Sequence, residues 1–139
     1  MPPFGEDDIH AFIDHQMPVW RASGFLVPYV IADAASGELL GGSTFHHLDP
    51  TRQVIELGYW LFAPARGRGV ATRSVDAMAG WAFGSGFHRV EAAVRVGNVA
   101  SERVLERAGF AREGVKRRFL RYGGSRVDAT LFARLGDGA

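Results

Sequence analysis

Six residues, Arg66-Gly67-Arg68-Gly69-Val70-Ala71, join an extended aromatic segment to an amphipathic run, and their types suit an anion. Glycine lets a backbone approach a phosphate closely, and the first free N–H groups of a following helix point at it. Arg66, Gly69 and Ala71 fit the pattern Arg/Gln-x-x-Gly-x-Gly/Ala, with small residues wherever a side chain would block the anion. No Gly-Lys-Ser/Thr follows, which excludes a P-loop. No acid closes the next strand as a ribose ligand would, which excludes a dinucleotide fingerprint. A turn that merely links strand to helix satisfies the same residues. A second constellation, Asn98-x-x-Ser101, stands just past the next extended segment. Asn98 can cap a helix by accepting from the N–H of Ala100 or Ser101, or it can hold a ligand. Ser101, on the first turn, would face the crevice beside the aromatic strand.

The elements that must position these residues follow from periodicity and punctuation. Residues 6–17 have helical spacing (Ile9, Phe12, Ile13, Met17), and Pro18 ends a cover helix there. Residues 25–33 and 39–45 read as strands joined by a turn holding Ser36-Gly37, and 54–62 as a third strand stopped by Pro64. The spacing predicts a helix over 70–83, a strand over 89–96, a helix over 99–108 with Gly109 as its left-handed cap, and a hairpin of 111–120 with 127–135. Strands 54–62 and 89–96, linked by a helix, should run parallel. The fold class is therefore mixed α/β: a mostly antiparallel sheet with one splayed parallel pair, flanked by helices. A ligand can enter where the pair splays.

Composition narrows the classes. The 139 residues are 47% apolar and 22% charged, which fits one soluble domain with a real core. No apolar run approaches the roughly 20 residues of a membrane span, because Pro28 and Asp33 interrupt 25–31. Met1-Pro2-Pro3-Phe4-Gly5 leads straight into acids, unlike a signal peptide. With no cysteine there is no disulfide, thiolate metal site or cysteine nucleophile, and a cytoplasmic location is expected. A net charge of +1 gives no global drive toward nucleic acid or membrane.

Taken together, Glu56-Leu-Gly-Tyr-Trp-Leu61, Arg66-Gly-Arg-Gly-Val-Ala71, Asn98-x-x-Ser101 and Leu105-Glu-Arg-Ala-Gly-Phe110 resemble the GNAT acetyltransferase superfamily. Within it they resemble most the RimJ/RimL-like branch, whose members acetylate protein N-termini. The resemblance covers about residues 25–135 in the family's order. It implies acetyl-CoA as co-substrate, with its pyrophosphate on the backbone N–H groups of Gly67, Arg68, Gly69, Val70 and Ala71, and with Arg66 among the cofactor-binding residues. It further implies that the pantetheine arm lies in the splay after Leu61 and that Asn98 bonds it. Family members usually open with one more strand and helix, and this sequence lacks them. The sheet edge left uncovered suggests a homodimer.

Acetyl transfer needs a base for the attacking amine and a donor for the oxyanion. Glu56 is the only acid on the central strand and matches a Glu common in the family, so it is the candidate base. An exposed polar residue on a strand face is the other reading. Backbone N–H groups near Leu61 and Phe62 are the candidate oxyanion donors. Many members place a Tyr where this sequence has Leu105, and Ser101 is the candidate substitute for protonating the leaving thiolate.

No metal site is assigned. His46 and His47 with Asp49 invite one, but adjacent residues of a strand point to opposite faces. Tyr59, Trp60 and Phe62 read as core and crevice walls, while Trp20, Phe25 and Tyr29 are placed on the acceptor side by location alone. Lys116-Arg117-Arg118 with Arg121 reads as a solvated edge. The leading expectation is an N-acetyltransferase acting on a protein N-terminus or a small amine. A non-catalytic acyl-CoA-binding module and a basic-edge binder of ribosome or RNA are the alternatives.

Overall fold

The computed structural model describes residues 26–137. The cover helix expected over 6–17, with Trp20 and Phe25, lies outside the described residues. The described elements are β1 (Leu26–Ala32), β2 (Leu39–Asp49), β3 (Val54–Leu61), a 3-10 turn (Ala63–Ala65), α1 (Val70–Gly84), β4 (Arg89–Arg95), α2 (Val99–Arg107), β5 (Ala111–Tyr122) and β6 (Ser125–Leu135). The first three strands form a meander whose turns are tied by short acids. Asp33 accepts from the N–H groups of Ala35 (2.9 Å) and Ser36 (2.8 Å), and Asp49 from that of Arg52 (3.0 Å).

The six strands make one sheet in the order β1-β2-β3-β4-β6-β5. β3 and β4 run parallel, as the strand–helix–strand pattern requires, and every other neighbouring pair is antiparallel. β2 extends past the expected end at residue 45. A bulge between His46 and Asp49 absorbs one extra residue and lets the ladder continue to Asp49↔Val54.

α1 and α2 share one face of the sheet. Val75, Ala79 and Ala82 of α1 and Leu105 of α2 pack with Phe45, Ile55, Leu57, Val90, Ala92, Val94 and Phe132 from four strands. Register explains the sharing: Ile55 lies opposite Val90, Phe45 opposite Leu57, and Ala92 opposite Phe132, so all point the same way. The other face carries Thr44, His46, Glu56, Gly58 and Glu91, placed there by the alternation of side chains along each strand. β5 is an edge strand, and its side chains are exposed apart from half-buried Leu120. The basic run therefore sits in solvent. Arg118 takes a left-handed φ of 53° at a bulge, and its N–H donates to Asp128 (2.8 Å).

Candidate active site

The parallel pairing is short. β3 and β4 are in register only at Val54↔Arg89, Ile55↔Val90 and Glu56↔Glu91, after which they part. Beyond that point β3 pairs with β2 alone and β4 with β6 alone. The splay thus opens at Glu56, five residues before Leu61, after which it was expected. Phe62 donates its N–H to Leu40 (2.9 Å), so within this antiparallel ladder the even-numbered residues of β3 bond to β2. The N–H groups of Tyr59 and Leu61 then face the gap, while that of Leu57 closes the last parallel pair, Glu56↔Glu91. Of the two backbone donors expected, Leu61 is aimed there and Phe62 is already engaged.

At the mouth of the gap the chain turns into α1. Gly67 and Gly69 both have φ of 73°, a left-handed conformation that glycine adopts without strain. A methyl group at Gly67 would meet no atom within 4 Å, so open space lies over that residue. Gly69 is the N-cap of α1, with no side-chain cap and no acid in the first turn. Instead, the Arg73 guanidinium folds back to donate to the carbonyl of Arg68 (3.2 Å). A cation beside the positive end of a helix is unfavourable unless an anion joins it. Arg66 closes the loop, donating Nε–H to the carbonyl of Leu61 (3.2 Å). Exposed arginines, free space and uncapped N–H groups are the features that suit a phosphate group.

Across the gap, α2 begins at Asn98. Its side-chain oxygen accepts from the Ser101 N–H (3.3 Å), so the capping role is realised and the amide NH2 is the end left for a ligand. Ser101 Oγ lies 2.5 Å from the hydroxyl of Tyr59, which also reaches the Ser101 carbonyl (3.3 Å). Burial holds the Tyr59 phenol above its usual titration range, and the Ser101 bond offsets this only in part. Leu105, one helical turn beyond Ser101, is fully buried in the core. Tyr59 was read from sequence as a wall. The signal that marks it is parity, since alternation puts 55, 57, 59 and 61 on the helix-bearing side, and 59 is the one with a hydroxyl.

Glu56 stands at the point of splay, on the opposite face. Its carboxylate lies 2.7 Å from His47 Nδ1 and 3.4 Å from His46 Nε2. Burial alone would raise its pKa, but hydrogen bonds and charge from the two imidazoles outweigh that and hold it below the usual glutamate range. The expectation that neighbouring histidines diverge fails here for a definite reason. His47 has φ of 49° at the bulge, which turns its ring to the side of His46, 4.9 Å away. Three residues along a strand span about 10 Å, so Glu56 and Tyr59 approach the gap from different ends and faces. Tyr29 lies elsewhere, edge-on to Phe45 in an open apolar hollow with Met78 and Trp81.

A splayed parallel pair inside an otherwise antiparallel sheet, with a glycine-rich turn where the helix starts, defines the class of fold. The family model described as acetyltransferase (GNAT) domain matches residues 1–111, and the chain belongs to that family. It is 35% identical over 107 residues to Probable N-acetyltransferase YjcK of Bacillus subtilis, covering 76% of this chain and 59% of that protein. It is 31% identical over 101 residues to the ribosomal-protein-serine acetyltransferase of Escherichia coli, covering 72% and 56%. Mycobacterium smegmatis RimJ, solved in complex with CoA-disulfide, superposes with a TM-score of 0.82 at 27% identity, over 99% of this chain and 69% of that one. The chain thus spans little more than half the length of these curated relatives. Among the described residues no helix is long and apolar enough to cross a membrane.

Proposed function

We propose that this chain is an N-acetyltransferase that moves the acetyl group of acetyl-CoA to a primary amine by direct attack in a ternary complex. The observation that carries it is the alignment of three features along one gap: the cradle at Gly67–Ala71, the free edge of β3, and the Tyr59–Ser101 hydroxyl pair. Val70, Ala71 and their neighbours offer N–H groups to the diphosphate, and Arg68 and Arg73 its counter-charge. Tyr59 and Leu61 offer N–H groups to the amide-bearing arm, as a sheet edge does to an added strand. The NH2 of Asn98 donates from the other wall.

In the reaction the amine nitrogen bonds to the thioester carbon, and the carbon–sulfur bond breaks after a tetrahedral oxyanion forms. The Leu61 N–H stabilises that oxyanion. Glu56 accepts the amine proton, and the span from Glu56 to the hydroxyl pair favours a water between them. Ser101, its hydroxyl held by Tyr59, donates to the leaving sulfur, in place of the tyrosine that Leu105 has displaced. A thiolate is a fair leaving group near neutral pH, so this proton is an aid rather than a necessity. The acceptor class favoured by the ribosomal-protein relatives is a protein N-terminus, with a small amine as the second choice.

Glu56→Gln tests the assignment. Turnover should fall at least about a hundredfold, within the range for general-base catalysis, while CoA affinity stays within about threefold of wild type. Unchanged turnover would remove Glu56 from the mechanism. The buried Leu105 favours one rival, a non-catalytic acyl-CoA-binding module, which predicts tight CoA binding with no acceptor turned over.

A further inference from the structure

His46, His47 and Glu56 form a donor set that acetyl transfer uses only through its carboxylate. Each offers one ligand atom, and the three atoms lie within 4.8 Å of one another. We propose that this cluster binds one first-row transition-metal dication, with Zn2+ the best fit to its chemistry. Tetrahedral zinc with bonds near 2.1 Å needs ligand atoms about 3.4 Å apart. Glu56 Oε1 to His46 Nε2 is 3.4 Å, and Glu56 Oε2 to His47 Nδ1 is 2.7 Å, so side-chain shifts on the order of 1 Å close the set around an ion. Two imidazoles with one carboxylate select zinc, cobalt, nickel or copper over magnesium or calcium, which prefer oxygen throughout. The His47 side chain is 58% exposed, so water has access to the cluster as a further ligand.

Three further observations point the same way. His46 Nδ1 lies 3.1 Å from Thr44 Oγ1, a partner that can accept Nδ1–H and leave the Nε2 lone pair for a metal. Opposite Thr44 stands Gly58, where an added methyl would sit 3.2 Å from that oxygen and 3.3 Å from the His46 ring. The missing side chain makes room for the ring to lie over β3. The bulge with left-handed φ at His47 is the third device, a strained position that aims a second imidazole at the same carboxylate. Asp49 is not part of the set; it ties the following turn through the Arg52 N–H.

A bound ion would occupy the lone pairs of Glu56. If Glu56 is the base, as the acetyl-transfer reading holds, the ion shuts off proton acceptance and zinc becomes an inhibitor.

The test uses tag-free protein and Co2+, whose visible absorption reports coordination. Expected are one Co2+ per chain, a strong d–d band of a four- or five-coordinate ion, and loss of that band when Zn2+ is added. His46→Ala, His47→Ala and Glu56→Gln should each weaken binding by about a hundredfold and Thr44→Val by about tenfold, while His88→Ala changes nothing. Circular dichroism confirms that each variant is folded. Absence of the band in wild type, or a band indifferent to all three ligand variants, overturns the site. Stoichiometric binding that leaves wild-type turnover intact keeps the site and removes Glu56 from the chemistry, so the two readings fail separately.

Discussion

Gly69→Asp separates the cradle from an ordinary turn, because the structure predicts a small effect on stability and a large one on binding. A non-glycine residue at φ 73° costs about 1–2 kcal/mol, with Asp among the better-tolerated types. The new Cβ would lie 2.9 Å from Arg73 Nη1, the movable end of a long side chain, so the clash relaxes cheaply. Its carboxylate would stand at the positive end of α1 beside Arg73, together recovering about 0.5–1.5 kcal/mol. The folded state should therefore change by no more than about 1 kcal/mol, a few degrees in Tm. Binding should respond very differently, because the carboxylate occupies the seat of a diphosphate. One like-charge pair at about 5 Å, with an effective dielectric constant near 20, costs about 3 kcal/mol, or about a hundredfold in Kd. Calorimetric titration with CoA, beside a melting curve, reads both quantities. The penalty should shrink at higher salt, where exposed charges are screened. A folded variant that keeps CoA affinity within about threefold of wild type would refute the phosphate assignment.

Tyr59→Phe keeps the ring in the core and deletes only the bond to Ser101; kcat should fall about tenfold with little change in CoA affinity, and Ser101→Ala should match it. Equal, additive losses in the double variant would show that the two hydroxyls do not act as a pair. Leu105→Ala empties a fully buried site and should cost about 2–5 kcal/mol in a urea titration, whereas a loss below about 1 kcal/mol would mean that α2 is not docked as described. Arg89 holds the Glu113 carboxyl below the ordinary range near 4.5, through a hydrogen bond and its charge. The folded pKa is depressed, so the stabilisation is present above that range and is lost as pH falls through the folded value. Glu113→Gln should flatten the acid side of the stability curve slightly, and an unchanged slope would contradict the pairing.

The boundaries that rest on local chemistry were legible, whereas β2 runs on to Asp49 and the closing hairpin to Tyr122 and from Ser125, past the ends expected at 45, 120 and 127. Pro64 stops β3, Gly69 opens α1, Asn98 caps α2 and Gly109 ends it, and each acts within one or two residues. The parallel pair was legible too, because a helix between two strands leaves few alternatives. What escaped was the detailed register of pairing between strands. The bulge at His46–Asp49 depends on how β2 meets β3, and nothing in His-His-Leu-Asp announces an extra residue. Without it, alternation separates the histidines; with it, both meet Glu56. The end of the parallel ladder at Glu56↔Glu91 is likewise a property of sheet twist and of β6 seated against β4. Phe62 shows the same limit, since its engagement with Leu40 follows from ladder parity and not from its type. Tyr59 was within reach, because its parity and the helix-start position of Ser101 together put two hydroxyls on one side.

The central claim is acetyl transfer from acetyl-CoA to an amine, and thiol release measures it directly. Wild-type protein is mixed with acetyl-CoA and a panel of N-terminal peptides, amino acids and polyamines, and free CoA thiol is followed beside the mass of each acceptor. The account predicts thiol release that requires protein and acceptor together, with one acetyl group gained per thiol. Saturable acetyl-CoA binding with no acceptor acetylated would contradict it, and would leave the gap between β3 and β4 as a binding site alone.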